Sequence, residues 1–553
     1  MAEQPMTTIG RYLVRRLCEI GVKHLFGVPG DYVLDLMDEV IDSPLRFIGT
    51  CNELNAGYAA DAYSRLNGIG AVMVTYGVGG FSLLNAVAGA YAERVPLVVI
   101  SGAPHSAQRR IHAPMHHLAT DYRLQLDIFS RITAASVMLT QADQAAGQID
   151  CTLQTCLMFK RPVYIEVPLD MVDAPCAAPT EPLGSPPPAP SDRESLAESI
   201  VETTAMLTAA QRPAILCGVE VHRFGLRNDV VKLLDECGYP VACTINGKTA
   251  IPEEHPGFIG IYEGALSRPA VRETIESADC LLSLGAWFTD IATGGFTAKL
   301  DDHRMISANS DRVKIKHHHY DQVYLPDFVR GLIQTLQPTP AQKRHVSPAP
   351  HLAEKAYQPQ PAAAITVARF FERLNEFLND DMVLITGTGD SMFGAAELHT
   401  NKPESFVAQA YYLSLGYSLP ASLGLALAVP QKRTVLVIGD GAFQMTNQEL
   451  STIIRNKVAS IIFLLNNDGY VIERAIHDGP YNEIQQWKYH ELPAVFGGPR
   501  GWEVRTEGDL EAALQQAMRN PDELTFIEIV LDREDATPAL RRIAQAVRNV
   551  SVK

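Results

Sequence analysis

Two polar turns carry the strongest chemical signal in this sequence. Gly439-Asp440-Gly441 follows the apolar run Thr434 to Ile438, and Asn466-Asn467-Asp468-Gly469 follows a second run, Ile461 to Leu465. With a helical stretch between them, segment 434–473 reads as one βαβ unit. Its polar residues stand at the C-terminal ends of both strands, where open α/β sheets bind ligands. Asp440 offers a carboxylate, Asn467 an amide carbonyl, and the glycine turns main-chain oxygen. That donor set suits Mg²⁺, a hard cation that usually shares its coordination with phosphate. Gly439 and Gly441 allow close backbone approach to such a phosphate, near a helix N-terminus.

Other polar residues stand at similar junctions upstream. Asp31 follows the turn Gly27–Gly30 and serves equally as a helix N-cap or as a carboxylate displayed at the mouth of a site. Glu53 begins an Ala-rich helix, where it either complements the helix dipole or faces a ligand. Gly77, Gly79 and Gly80 resemble a phosphate cradle but lack GxGxxG spacing and a Walker lysine. His112, His116 and His117 lie at a helix start or in the loop before it. Adjacent helical histidines diverge by about 100°, and no third ligand is close in sequence, so a paired proton-donor role is favoured over zinc. His317-His318-His319 would splay in a strand or loop, which also disfavours metal.

These residues need a scaffold, and the alternation of strands and helices supplies one. The first helix is expected over 7–20, followed by strand–turn–helix units at 24–40, 46–68 and 70–104 and a closing strand within 161–171. Pro-rich stretches at 173–195 and 336–366 read as surface linkers. The expected division is therefore 1–175, a linker 176–195, a middle unit 196–336, a linker 337–363, and 364–553. Middle-unit strands are expected at 212–220, 239–245, 278–286 and 304–310, without a concentrated polar constellation. An amphipathic helix is expected over 537–553. Polar groups gather at strand ends in the outer units alone, which predicts a site shared between those two.

The 553 residues are 46% hydrophobic and 20% charged, with a net charge of −16. That composition is ordinary for a globular enzyme and argues against nucleic acid or an anionic membrane as the main partner. The N-terminus lacks an apolar signal core, and no apolar stretch approaches a membrane span. Nine cysteines without paired CxxC spacing read as small buried hydrophobes, and a cytoplasmic location is expected.

The two turns together resemble the thiamine diphosphate motif, GDG on one strand end and NN on the next. VPGDY at 28–32, NELNAGYAADAYSR at 52–65, ERVPLVVISGAP at 93–104, the His116–His117 pair and NNDGYVIERAIHDGPYN at 466–482 widen the likeness. Together they resemble the thiamine diphosphate-dependent 2-oxo acid decarboxylases, of the pyruvate and indolepyruvate type, over essentially the whole chain. The resemblance implies three doubly wound α/β domains, the outer two binding the cofactor on parallel sheets. It implies that Asp440, Asn467 and the Gly469 carbonyl hold Mg²⁺ and, through it, the diphosphate. Glu53 would hydrogen-bond the pyrimidine ring, and Leu415 would bend the cofactor. Thr75, Gly389, Asp390, Leu413, Gly441, Ala442 and Tyr470 would complete the cofactor site. Asp31, His116, His117 and Glu473 would be the acids and bases around the substrate, and Met392, Val471, Ile472 and Ile476 its pocket. A homodimer at minimum, and a homotetramer beyond it, would follow, because the pyrimidine unit of one subunit faces the diphosphate unit of another.

Three positions depart from the pyruvate-specific pattern: Met392 in place of tryptophan, Leu413 in place of glycine, and Ala442 in place of a frequent serine. Met392 exchanges a rigid wall for an adaptable one. With the segment VIERAIH at 471–477, this favours aromatic or branched-chain 2-oxo acids over pyruvate. Pyruvate decarboxylation and an acetolactate-synthase-like carboligation are the alternatives within the family. A non-catalytic relative that keeps the fold is the alternative outside it.

Overall fold

The computed structural model describes residues 5–184, 190–336, 356–400, 402 and 405–542. Each expected unit is built on its own sheet. In the first, strands Arg46–Gly49, His24–Gly27, Gly70–Val74, Leu97–Ala103, Val163–Pro168 and Ser136–Met138 lie side by side in that order, all parallel. The third repeats the plan with Phe406–Val407, Met382–Thr386, Arg433–Gly439, Ile461–Asn466, Thr525–Val530 and Trp502–Val504. Helices cover both faces of such sheets, so central strands are apolar along their whole length. Leu97–Ala103 and Ile461–Asn466 are accordingly buried at every position.

The middle sheet is mixed. Phe258–Ile261, Val241–Cys243, Pro213–Cys217, Cys280–Leu284 and Met305–Asn309 are parallel, and the short strands Arg312–Ile315 and His318–Asp321 then turn back antiparallel. The sequence reading missed Phe258–Ile261 and these last two, which lie at or near the sheet edges, where apolar patterning is weakest. His318 and His319 fall in the edge strand, and His318 Nδ1 lies 2.8 Å from Glu202 Oε2.

Two further expectations are corrected. The chain does not enter a helix at residue 7: Met6–Thr8 pairs antiparallel with Pro175–Ala177, and the helix is Ile9–Glu19, with the Thr8 hydroxyl accepting the Arg11 N–H. The linker expected from 176 thus begins as an edge strand. Nor is the middle unit free of polar constellations. Lys248 and Glu253 form a buried ion pair at 2.5 Å. Lys248 also donates to the Leu398 carbonyl, and Glu253 accepts from Thr400, so the pair fastens the middle unit to the third. Residues 185–189, 337–355 and 543–553 of the expected linkers and C-terminal helix lie outside the described residues; 538–542 are helical.

The outer units pack directly on each other. Helix Glu53–Asn67 crosses helix Ser418–Ala428 so closely that a β-carbon on Gly424 would lie 1.9 Å from the Ala59 carbonyl oxygen. Glycine is required there because backbone fills the space of a side chain. No described helix is long and apolar enough to cross a membrane.

Two buried carboxyls set a pH dependence. Burial pushes Glu166 up to about 7, and burial with the nearby Glu397 charge pushes Glu263 up to about 8. A carboxyl raised above its unfolded value contributes stability at acid pH that is lost as pH rises through the folded value. His24 and His222, held down to about 4 by burial, cost stability only below about pH 6.5. The ligand-free protein should therefore lose about 2–4 °C of Tm between pH 6.5 and 8.5, and Glu263→Gln should shrink that loss. Thermal melts across this range that stay level would contradict the assignment.

Candidate active site

The C-terminal ends of strands Arg433–Gly439 and Ile461–Asn466 open into a cavity of about 1100 Å³. Asp440 stands at the first strand end, almost fully buried. Its Oδ1 accepts the Gly441 N–H at 2.8 Å and its Oδ2 the Gly469 N–H at 3.0 Å. A carboxylate has about four lone-pair sites, so two main-chain donors leave it free to meet a cation. Burial pushes its pKa up to about 6. Asn467 and Gly469 also line the cavity. Gly469 has φ +125°, and a β-carbon there would lie 2.2 Å from the Asn482 carbonyl oxygen, so glycine is required at this turn.

Arg474, which the sequence reading passed over, holds this turn. Its guanidinium donates to the carbonyls of Asn467 at 3.0 Å, Arg533 at 3.0 Å, and Asp468. No sequence signal marked it: the apolar phase of helix Val471–Ile476 runs through Val471, Ile472, Ala475 and Ile476, yet Arg474 is the residue the fold buries. Gly439 offers open space in place of a side chain: a β-carbon on it meets nothing within 4 Å. Gly441 packs under the Tyr470 ring. Gly389, Ala442 and Tyr470 line the same cavity. Asp390 lines it too, but both its carboxylate oxygens are taken by Thr537, one by the N–H at 2.8 Å and one by the hydroxyl.

The substrate candidates Met392, Val471, Ile472 and Ile476 share this cavity, as do Glu473, Leu413 and Leu415. The apolar wall residues that were not foreseen include Ile291 from the middle unit, Val367, and Leu540 beyond the last strand. No local pattern marks them, because each is brought in by packing between distant segments.

The remaining candidates form a second cluster, apart from the residues lining that cavity. His116 Nε2 lies 2.5 Å from Asp31 Oδ2. The Tyr32 ring stacks on His116 at 4.8 Å, and the His117 ring meets His116 edge-on at 4.8 Å. Both histidines lie in the loop between helices Ser106–Arg110 and Leu124–Ile132. His117 takes φ +65°, and its Nδ1 is buried without a partner. A third potential ligand does therefore stand beside the pair: ligand atoms of Asp31, His116 and His117 lie within 4.8 Å of one another. His112, by contrast, is exposed and outside this group.

Glu53 opens its helix half-buried, and a β-carbon on Gly79 would come 3.4 Å from its Oε1. Thr75 sits beside Gly79 and Gly30, its hydroxyl buried with no partner. Behind this cluster, the Gln125 carbonyl accepts the Gly77 N–H at 2.8 Å, and its amide donates to Tyr164, which in turn donates to Glu166.

Three family models match the chain in order. Residues 7–124 match the thiamine pyrophosphate enzyme N-terminal TPP binding domain, 200–336 the central domain, and 387–529 the C-terminal TPP binding domain. The Aspergillus fumigatus pyruvate decarboxylase is 36% identical, the match covering 97% of this chain and 96% of that protein. The chain belongs to the thiamine diphosphate-dependent 2-oxo acid decarboxylases. The Mycobacterium leprae alpha-keto-acid decarboxylase is likewise 36% identical over 97% and 96% of the two chains, and Arabidopsis thaliana pyruvate decarboxylase 3 is 36% identical over 96% and 92%. As a family member it is an enzyme that uses thiamine diphosphate to decarboxylate a 2-oxo acid. The residues present suit that cofactor, with an anionic carboxylate free for a cation, open space at Gly439, and an unpartnered Thr75 hydroxyl on the other half.

Proposed function

We propose that this enzyme converts aromatic or branched-chain 2-oxo acids non-oxidatively to an aldehyde and CO₂. The observation that carries the substrate class is the wall of the cavity. Met392, Ile472 and Ile476 are joined by Ile291, Val367 and Leu540 in lining a large apolar volume without an aromatic ring at position 392. Apolar surroundings disfavour a localised carboxylate charge and favour its loss as CO₂. Bound thiamine diphosphate supplies the electron sink for that loss. Asp440, Asn467 and the Gly469 carbonyl would hold Mg²⁺, with Arg474 fixing the turn that presents two of them. Glu473, exposed on the cavity rim, and the Asp31–His116 pair would hold and deliver protons. The carboxylate orients the imidazole, and Tyr32 stacking limits its rotation.

Glu53, Thr75, Asp31 and the histidines stand outside the cavity lining that Asp440 belongs to. We infer that a second subunit brings the two halves together, making a homodimer the smallest active unit and a homotetramer its doubled form. Exposed apolar side chains support this on both halves: Val78 (55% exposed), next to the Gly77 that abuts His117, and Ile476 (74%) in the cavity wall.

The test is kcat/KM for phenylpyruvate, indolepyruvate, a branched 2-oxo acid and pyruvate. The bulky acids should exceed pyruvate, and Met392→Trp should reverse the ratio by about 10-fold or more, the worth of one or two pocket contacts. Pyruvate giving the highest value with the native protein would replace this reading with pyruvate decarboxylation, which the names of two of the relatives above favour. Acyloin as the main product would point to carboligation.

A further inference from the structure

Leu413 takes φ +56°, a left-handed backbone conformation that side chains with a β-carbon adopt at a cost. It lines the cavity together with Leu415, so something must hold this loop against that cost. The hydrogen bonds on either side show what does. Glu93 ends helix Val78–Ala92 of the first unit and is 2% exposed. Its Oε1 accepts the N–H groups of Tyr411 at 2.8 Å and Tyr412 at 3.0 Å, the two residues before Leu413. Its Oε2 accepts from Arg65 at 2.8 Å. Arg65 also pairs with Asp61 at 2.7 Å and donates to the Ala408 carbonyl at 3.2 Å. On the other side, the Gln409 carbonyl accepts the Ser414 N–H at 2.7 Å. The Gln409 amide nitrogen is buried and unpartnered, so its acceptor is the atom in use. The Ser414 hydroxyl lies 2.5 Å from Tyr58 OH and accepts from Asn85 at 2.9 Å.

We propose that Glu93 and Gln409 are positioning residues. They lock Leu413 in its left-handed conformation, so that the main chain at 413 and the Leu415 side chain are preset for the ring end of thiamine diphosphate. The proposal rests on the reading that Leu413–Leu415 faces the cofactor. It adds that the first unit, through Glu93, Asn85 and Tyr58, grips the cofactor loop of its own chain. A buried carboxylate suits this task, since charge-assisted bonds to two successive N–H groups are stronger than neutral ones.

The experiment compares two ligands of the purified protein by calorimetry: thiamine diphosphate with Mg²⁺, and inorganic diphosphate with Mg²⁺. The clamp acts on the ring end, so Glu93→Ala and Gln409→Leu should each raise Kd for thiamine diphosphate by about 10-fold. Both should leave Kd for inorganic diphosphate within about twofold of the native value. Glu93→Gln, which keeps an acceptor oxygen, should fall between. Glycine takes the left-handed conformation freely, so adding Leu413→Gly should shrink the Gln409→Leu penalty. Gln409→Leu removes no charge and keeps the test open if Glu93→Ala does not fold. Equal weakening of both ligands, unchanged thiamine diphosphate binding, or no recovery with Leu413→Gly would each overturn the clamp. Failure of the native protein to bind thiamine diphosphate would instead overturn the reading beneath it.

Discussion

Glu53→Gln is expected to lower kcat/KM by about 10²–10⁴-fold, the range that one positioned proton-transfer group contributes, while thiamine diphosphate still binds. The expectation comes from how firmly the carboxylate is placed. Asn52 caps the helix by accepting the Asn55 N–H at 2.8 Å. Glu449 of the third unit then grips the same turn, accepting from the Cys51 N–H at 3.2 Å and the Asn55 amide at 2.8 Å. The far side of the helix is locked by the Gly424–Ala59 crossing. A glutamate that only complemented a helix dipole would not need such support, and its amide would cost about 0.3–1 kcal/mol of stability and nothing in turnover. Steady-state kinetics alongside a cofactor titration separate the cases. Turnover within a fewfold of native would remove Glu53 from the chemistry.

Asp440→Asn should raise Kd for Mg²⁺–thiamine diphosphate by about 100-fold or more, beyond the 10–100-fold typical of groups that only orient a ligand. The same change should move the stability of the ligand-free protein far less than it moves binding. The Asp440 carboxyl is raised by burial to about 6, so the stability it contributes at acid pH is lost as pH rises through that value, and its ionised form is a burden at pH 7.5. The amide removes that burden, but its single oxygen can accept only one of the Gly441 and Gly469 N–H groups, which the carboxylate takes with one oxygen each. Its NH₂ faces the other, so the two effects offset. Ligand-free Tm that changes little while binding is lost would identify a ligand to the metal. A fall in both would show that Asp440 is chiefly structural.

Much of the architecture was legible because parallel, doubly covered sheets impose long apolar strands that end in polar turns. Arg433–Gly439 and Ile461–Asn466 fall where the runs at 434–438 and 461–465 placed them, and both turns open on one cavity. The edge strand Phe258–Ile261 and, at the other side of the sheet, Arg312–Ile315 and His318–Asp321 were not legible, since each is four residues long and too short to establish a period. The N-terminal strand Met6–Thr8 was misread as helix because its partner, Pro175–Ala177, lies far along the chain. Asp31 was ambiguous between cap and site for a similar reason. Its contact with His116 spans 85 positions, and no spacing rule reaches that far.

Local chemistry therefore determined the kinds of groups present and the cofactor they suit. A strand end needs only its own residues to display Asp440, Asn467 and a glycine turn. Tertiary structure decided which groups meet. Packing of three units brought Ile291 and Leu540 to the wall beside Met392, and Arg474 to the carbonyls of the metal turn. It kept the Glu53 and His116 cluster apart from the cavity lining within one chain. Leu413 shows the division most clearly. The family resemblance implies glycine where this chain has Leu413, but only the fold supplies the buried Glu93 carboxylate that accepts the two N–H groups before it.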